Sequence, residues 1–239
     1  MVKSEMKDLV KKTCGQFKIE LSDTQTNQFE KYYNSLIEWN EKINLTRIVE
    51  PEEVALKHFA DSLLVVKYFD IPENASLIDV GTGAGFPGIP LKIFRADIKL
   101  TLLDSLNKRL NFLNAAADNI GIEAETVHSR AEEAGKNIEY REKYDVAISR
   151  AVARLNVLCE YCLPFVKPGG YFVAMKGADY KEETAEAENA VKALGGEIIK
   201  SESFKLGEAG ERAVIVIKKI LPTPDKYPRA AKKIKNKPL

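Results

Sequence analysis

Apolar and polar positions change their period partway along the chain. Over the first 70 residues the apolar side chains recur at helical spacing. Ser22 and Gln25 have the S-x-x-Q form of a capping box, and Phe29, Tyr32, Tyr33, Leu36, Ile37 and Ile43 then form one stripe, which predicts a helix over 23–42. A second helix is predicted from Pro51, with Glu52 and Glu53 in its first turn, where the helix dipole favours anions. Its apolar face carries Leu56, Phe59, Ala60 and Leu63. These stripes need a partner surface, so residues 1–70 read as a helical N-terminal extension packed on the remainder of the chain.

From about residue 75 short apolar runs alternate with helical stretches. Strands are predicted at 77–80, 99–104, 123–128, 145–149 and 171–176, with a clear helix through Leu106, Leu110, Leu113, Ala117 and Ile120. That rhythm implies a doubly wound parallel sheet with helices on both faces. The end of the core breaks it. After a helix to about Leu194 come two runs, 197–204 and 213–218, whose short connection allows only a hairpin-like return. The expected fold is therefore α/β and Rossmann-like, with seven mostly parallel strands of which the last is antiparallel. The core spans 71–220, and 221–239 form a tail.

Composition narrows the class. At 239 residues, 45% hydrophobic and 30% charged, the chain is an ordinary globular protein. The segment MVKSEMKDLVKKTCG lacks the apolar stretch of a secretory signal, and no run of about 18 uncharged apolar residues exists for a membrane span. Three cysteines, Cys14, Cys159 and Cys162, are too few and odd in number for a disulfide framework. A cytoplasmic, monomeric protein is expected. Cys159 and Cys162 match C-x-x-C, but with no second pair a buried helix face explains them better than a metal.

Charge is uneven. The net charge is +1 overall, but the tail alone carries +5 through Lys226, Arg229, Lys232, Lys233, Lys235 and Lys237 against Asp225, which leaves −4 on the rest. Such a tail is either an arm that meets phosphates or a solvated, frayed terminus.

The densest chemistry is Asp79-Val80-Gly81-Thr82-Gly83-Ala84-Gly85-Phe86-Pro87-Gly88, directly after the first predicted strand. Glycines there let the backbone turn sharply and offer N–H groups to a ligand at a helix start. The third glycine of a dinucleotide fingerprint would fall at Phe86, so a pyrophosphate is disfavoured, and the Asp79 carboxylate suits a cationic or amine-bearing ligand. Asp104, 23 residues after Gly81, ends the second strand where an acid accepts ribose hydroxyls. S-adenosylmethionine fits this set, its adenosine at Asp104 and its cationic end over the glycines Gly81 and Gly83.

Several longer segments carry a resemblance: EWNEKINLT (38–46), KHFADSL (57–63), DVGTGAGFPGIPLKI (79–93), LLDSLNKRLNFL (102–113), SRAEE (129–133), SRAVARL (149–155) and YPR (227–229). Together they resemble the 16S rRNA guanine-N7 methyltransferases, the glucose-inhibited division protein B family, nearly end to end. The resemblance implies S-adenosylmethionine as cofactor and N7 of guanine 527 in 16S rRNA of the small ribosomal subunit as target. It further implies that Gly81 and Phe86 line the cofactor pocket, that Ala131 and Glu132 flank the adenine, and that Arg150 is the cofactor-binding and catalytic residue beside the transfer site. After YPR the family often turns through glycine and proline, whereas this chain reads Ala230-Ala231-Lys232.

The residues agree with that chemistry. Guanine N7 has an in-plane lone pair, so its methylation needs positioning more than a general base. Amine methylation through an N-P-P-Y type segment is disfavoured by Ser149-Arg150-Ala151 at that place. Arg150, Arg154 and Lys176, at strand ends, are the candidate phosphate or base contacts, because RNA affinity rests on neutralising phosphates. His58 and Asp61, three residues apart, are expected to meet across one helical turn in a structural bond. Tyr32, Tyr33 and Trp39 read as core. A nicotinamide oxidoreductase would need a Tyr-x-x-x-Lys pair, but Tyr140 and Tyr144 are followed four residues on by Tyr144 and Ile148. A small-molecule methyltransferase and a non-catalytic nucleotide-binding regulatory module remain as alternatives.

Overall fold

The computed structural model describes residues 6–239; residues 1–5, the start of the segment MVKSEMKDLVKKTCG, lie outside the described residues. Helices α1 (Met6–Gln16) and α2 (Asp23–Ile43) open the described chain, and α2 starts at the expected capping box, with both the Ser22 and Gln25 bonds formed. The Gln25 side-chain amide also donates to the carbonyls of Ile93 and Phe94, so the same residue that starts α2 ties it to the core.

The second predicted helix is not regular. It consists of α3 (Pro51–Val54), a π-helical turn Ala55–Ala60, α4 (Asp61–Leu63) and α5 (Val65–Tyr68). A π turn is rare and locates at functional sites, because the wider turn re-aims side chains. Here His58 and Asp61 do not bond each other, against the expectation from simple helical spacing; both bond Arg150.

Strands β1 (Ser76–Val80), β2 (Lys99–Asp104), β3 (Ala124–His128), β4 (Tyr144–Arg150), β5 (Val166–Lys176), β6 (Gly196–Lys205) and β7 (Glu211–Lys219) form one sheet in the order β3-β2-β1-β4-β5-β7-β6. Only β7 runs against its neighbours, β5 and β6, as the short 205–211 connection required. Helices α6 (Gly88–Phe94), α7 (Asn107–Ile120), α8 (Ala131–Ala134), α9 (Leu155–Cys162) and α10 (Tyr180–Ala193) connect the strands, and α11 (Ala231–Asn236) closes the chain.

The sheet separates two apolar cores. On one face Phe29, Tyr32, Leu36, Phe59 and Leu63 from the N-terminal helices share a cluster with Ile89, Phe112 and Leu113 of α6 and α7. On the other face α9 and α10 pack with Tyr227 and Ile234 of the tail. Cys159 and Cys162 lie fully buried in that second core, on the inward face of α9, their thiols pushed up by burial.

The tail is neither free nor frayed. Glu160 of α9 is completely buried and takes a bidentate bond from Arg229, at 2.9 and 2.7 Å, plus the Arg229 backbone N–H at 2.7 Å. Arg141 donates to the carbonyls of Thr223 and Tyr227, and the buried Lys219 donates to Leu163 and Thr223 at the point where the tail leaves the sheet. The basic run nevertheless keeps Lys232, Lys233, Lys235 and Lys237 exposed, since only Ile234 of α11 turns inward. Removing one partner of a buried ion pair strands the other charge. Arg229→Ala is therefore expected to cost about 3 kcal/mol in urea unfolding, and limited proteolysis should then release the tail.

Candidate active site

In an open α/β sheet a ligand crevice forms beyond the carboxyl ends of the strands where the strand order reverses. Here the reversal lies between β1 and β4, which adjoin along Leu77–Asp79 and Val146–Ile148. A cavity of about 620 Å³ opens there, walled by Gly81, Thr82, Gly83 and Phe86 after β1, Asp104 at the end of β2, Ala131 and Glu132 after β3, and Arg150 at the end of β4. Gly81, Gly83, Phe86, Asp104, Ala131, Glu132 and Arg150, the residues expected to line the cofactor site, therefore converge on one cavity.

The glycine loop is built for close approach. Gly83 has φ +61°, and a Cβ built on it would project into open space. Gly85, at φ +94°, is a packing glycine instead: a Cβ would lie 2.5 Å from the Tyr32 hydroxyl and 2.8 Å from Ile89. Tyr32, from α2, fixes the loop from behind by donating to the Ala84 carbonyl.

Asp79 corrects an expectation. Its carboxylate does not face the ligand; Oδ2 accepts from the Thr82 hydroxyl at 2.7 Å and from the Gly88 N–H at 2.8 Å, stapling the loop to the start of α6. Oδ1 is buried without a hydrogen-bond partner among the described residues. Complete burial pushes this carboxyl from the ordinary 3.8 up to about 6, against the opposing pull of the Thr82 and Gly88 bonds. A folded pKa above the unfolded one means that the native chain holds the proton more tightly. The stabilisation is whole below pH 4 and is lost as pH rises through about 6, in all about 3 kcal/mol. Asp79→Asn keeps an acceptor in the place of Oδ2 and carries no charge. The stability of this variant relative to wild type should thus rise by about 3 kcal/mol between pH 4 and pH 8 in urea titrations; a pH-independent difference would mean that the carboxyl does not titrate in this range.

Asp104 is held ready. Its Oδ2 accepts from the Gly83 N–H at 3.0 Å and pairs with Arg109 at 3.2 Å, while Oδ1 accepts from the Leu106 N–H at 2.9 Å. A carboxylate offers about four lone-pair positions. One on Oδ1 is open, and Arg109, a third exposed, holds a second that it can yield. The shape and donor set therefore suit S-adenosylmethionine: glycine-loop backbone for the amino-acid end, Asp104 for two ribose hydroxyls, and the start of α8 at Ala131 and Glu132 for the base.

Arg150 lies at the opposite side of β1 from Asp104, and its charge is held by the protein. It donates to Asp61 Oδ2 at 2.8 Å, to the Lys57 carbonyl at 3.0 Å and to His58 Nδ1 at 3.3 Å, and its guanidinium sits 5.1 Å from the Phe86 ring centre. His58 stacks on the same ring, with centres 4.4 Å apart. Burial and the Arg150 charge push His58 down to about 3, so it is neutral. Its Nε2 lies 2.9 Å from the Thr46 hydroxyl. This wall joins four segments, at Thr46, 57–61, Phe86 and Arg150, which is why spacing alone does not reveal Thr46 or the Arg150–His58 contact.

Two expected substrate contacts lie elsewhere. Arg154 is half exposed, outside the cavity wall, and paired with Glu182 and Glu186 of α10. Lys176 is buried, pairs with Glu183 at 2.6 Å and donates to the Ala153 carbonyl at 2.7 Å. Acidic residues of α10 pair with both side chains, and Lys176 also lines an adjoining cavity of about 470 Å³. Its bond to Ala153 pins the 151–153 turn, whose Val152 approaches Gly81. Lys235 of the tail was not anticipated and lines the cavity.

With the geometry established, comparison with known proteins decides the family. Residues 25–214 match the model of the GidB family, rRNA small subunit methyltransferase G. The chain belongs to the rRNA small subunit methyltransferase G family. Curated relatives of that name are similar over nearly their full length: one from Desulforamulus reducens is 52% identical over 93% of both chains, and one from Clostridium botulinum is 47% identical over 98% of this chain and 99% of its own. Among solved structures, a methyltransferase from Pyrococcus furiosus superposes with a TM-score of 0.57 at 16% identity, over 82% of this chain and all of that one. A class I S-adenosylmethionine-dependent methyltransferase from Listeria monocytogenes, assigned as such provisionally, gives 0.53 at 15% identity, over 92% and 89%. At such identity the likeness establishes the fold of this chain alone, a mostly parallel seven-stranded sheet with an antiparallel last strand like those of these methyltransferases.

Proposed function

We propose that this chain transfers a methyl group from S-adenosylmethionine to N7 of a guanine in 16S rRNA, with guanine 527 as the expected position. The observation that carries the reading is the cavity at the β1/β4 reversal, which assembles Gly83, Asp104, Ala131 and a neutral, fully engaged histidine in a member of this family. When bound, S-adenosylmethionine supplies an electrophilic methyl group on a sulfonium. The protein then has to position the acceptor, because N7 attacks with a lone pair and loses no proton. His58 suits that demand and no other: a group with pKa about 3 whose two ring nitrogens are both occupied is no general base.

Asp104 orients the ribose, Ala131 and Glu132 bound the adenine, and Gly81 and Gly83 admit the methionine end. Phe86, backed by His58 and Arg150, forms the wall toward the acceptor. Arg150 is thus assigned a positioning role at the transfer site. A second cavity of about 470 Å³ begins on the far side of His58, Arg150 and Ala151 and extends to Lys57 and Arg212, giving an RNA strand room beside the first. The exposed lysines of the docked tail, with Lys235 at the cavity edge, supply phosphate contacts that a free arm would hold less firmly. No helix of the described residues is long and apolar enough to cross a membrane. The proposed setting is the cytoplasm, where small subunits are assembled, with the enzyme acting as a monomer; the organisation we propose is a helical extension over 1–70, a cofactor core over 71–220 and a basic tail over 221–239.

The test is incubation with labelled S-adenosylmethionine and small subunits, or free 16S rRNA, from cells lacking this gene, followed by borohydride–aniline cleavage. One cleavage site in 16S rRNA is expected. Cofactor binding without incorporation into either RNA substrate would overturn the reading in favour of a small-molecule methyltransferase or a non-catalytic module.

A further inference from the structure

The hydrogen-bond arithmetic at Thr46 leaves one proton without a partner. An arginine can only donate, so the His58 Nδ1 that faces Arg150 Nη2 at 3.3 Å is the acceptor. The Lys57 carbonyl lies 3.2 Å from Nδ1 and also accepts from Arg150 Nη1, but a proton on Nδ1 would be set against the Arg150 N–H that faces it, so Nδ1 stays bare. A neutral imidazole then carries its proton on Nε2 and donates it to the Thr46 oxygen at 2.9 Å. The same oxygen accepts the Ile48 N–H at 3.0 Å. Both lone pairs of Thr46 are thereby used, and its own O–H is left to donate. Thr46 is half-buried and lines the 620 Å³ cavity, together with His58, Phe86 and Arg150.

The place of that donor matters. Asp104 and Ala131 take the adenosine on the β2–β3 side, so the methyl donor faces the Thr46–His58–Phe86–Arg150 wall on the β4 side. Any purine presenting N7 there also presents the group on its C6, since the two share one edge. In guanine that group is a carbonyl, an acceptor; in adenine it is an amine, a donor. We infer that Thr46 reads the target base, its hydroxyl donating to guanine O6 while N7 takes the methyl. Arg150 thus acts at a distance, since its fixed donor on Nδ1 sets the His58 tautomer, and the tautomer makes Thr46 a donor only. An adenine amine at this place would meet a second donor, and a site built to hydrogen-bond rejects the analogue that cannot reciprocate.

The inference rests on the proposed activity, and the experiment separates the two. The full-length enzyme, as wild type, Thr46→Val and Thr46→Ser, is given 16S rRNA with either guanine or 2-aminopurine at the methylated position; 2-aminopurine keeps N7 and lacks O6. Wild type should lose about 10- to 100-fold in kcat/KM on 2-aminopurine. Thr46→Val should lose a similar factor on guanine and nothing further on 2-aminopurine, with S-adenosylmethionine Kd unchanged. Thr46→Ser should keep the guanine preference within a few-fold. A valine variant that discriminates as strongly as wild type, or a serine variant that loses the preference, overturns the inference. If wild type methylates neither RNA, the proposed function itself falls.

Discussion

Arg150→Ala is expected to slow methyl transfer by about 100-fold or more and to lower stability by about 3–5 kcal/mol. The stability loss comes from Asp61, whose side chain is only 5% exposed: without Arg150 its remaining cation among the described residues is Arg212, at 3.6 Å, and its Oδ1 already has no hydrogen-bond partner among them. The rate loss has a different origin. His58 loses the donor that fixes its tautomer and Phe86 loses the cation beside its ring, so the acceptor wall loosens, and misplacement by about 1 Å costs about 100-fold in rate. The two effects separate in a double variant. Arg150→Met with Asp61→Leu removes both charges and should recover most of the stability, since apolar replacement of a buried pair is close to neutral, while turnover stays low. Urea unfolding and single-turnover transfer measure the two sides; a single variant as stable as wild type would show the pair to be worth little.

Asp104→Ala should raise the S-adenosylmethionine Kd by about 100-fold, the loss of charge-assisted bonds to ribose hydroxyls. Its effect extends to the loop, because Gly83 N–H and Leu106 N–H lose their acceptor together. Asp104→Asn, which still accepts, should be milder. Arg109→Ala acts in the other direction: it frees the lone pair that Arg109 occupies and should leave the affinity unchanged or tighten it a few-fold, because the ligand no longer has to displace a competing cation. Calorimetric titration measures all three. An Asp104→Ala protein that binds the cofactor normally would remove the ribose assignment.

The order of effects shows how the parts depend on one another. Asp79 and Tyr32 shape the loop from beneath, Asp104 and Gly83 bond each other at its top, and the Arg150–Asp61–His58 cluster fixes the far wall. Of these three sets, only the middle one is proposed to contact the cofactor. Changes to the others reach the chemistry through geometry, which is why stability and turnover have to be measured side by side.

Much of this architecture is legible in the chain. The capping box at Ser22, the strand runs, the glycine loop and the acid at the end of β2 are local, and each is governed by a few neighbouring residues: a side-chain oxygen for an orphan N–H, a period of two, a positive φ. The antiparallel last strand also comes from chain length, since the 205–211 connection is too short for a crossover.

What the sequence by itself determined, then, was the order of elements, the antiparallel sense of the last strand, and the segments that meet at the β1/β4 reversal. What only the tertiary structure decided was where charge goes. Arg154 and Lys176 found Glu182, Glu183 and Glu186 on α10; Arg229 found Glu160, converting a basic tail into a docked one; His58 and Asp61, on and beside a π turn, found Arg150 rather than each other. The reason is physical. Secondary structure answers to the backbone and to near neighbours, whereas a half-buried charge takes whichever opposite charge lies within about 4 Å, and that is set by packing between segments up to about ninety residues apart.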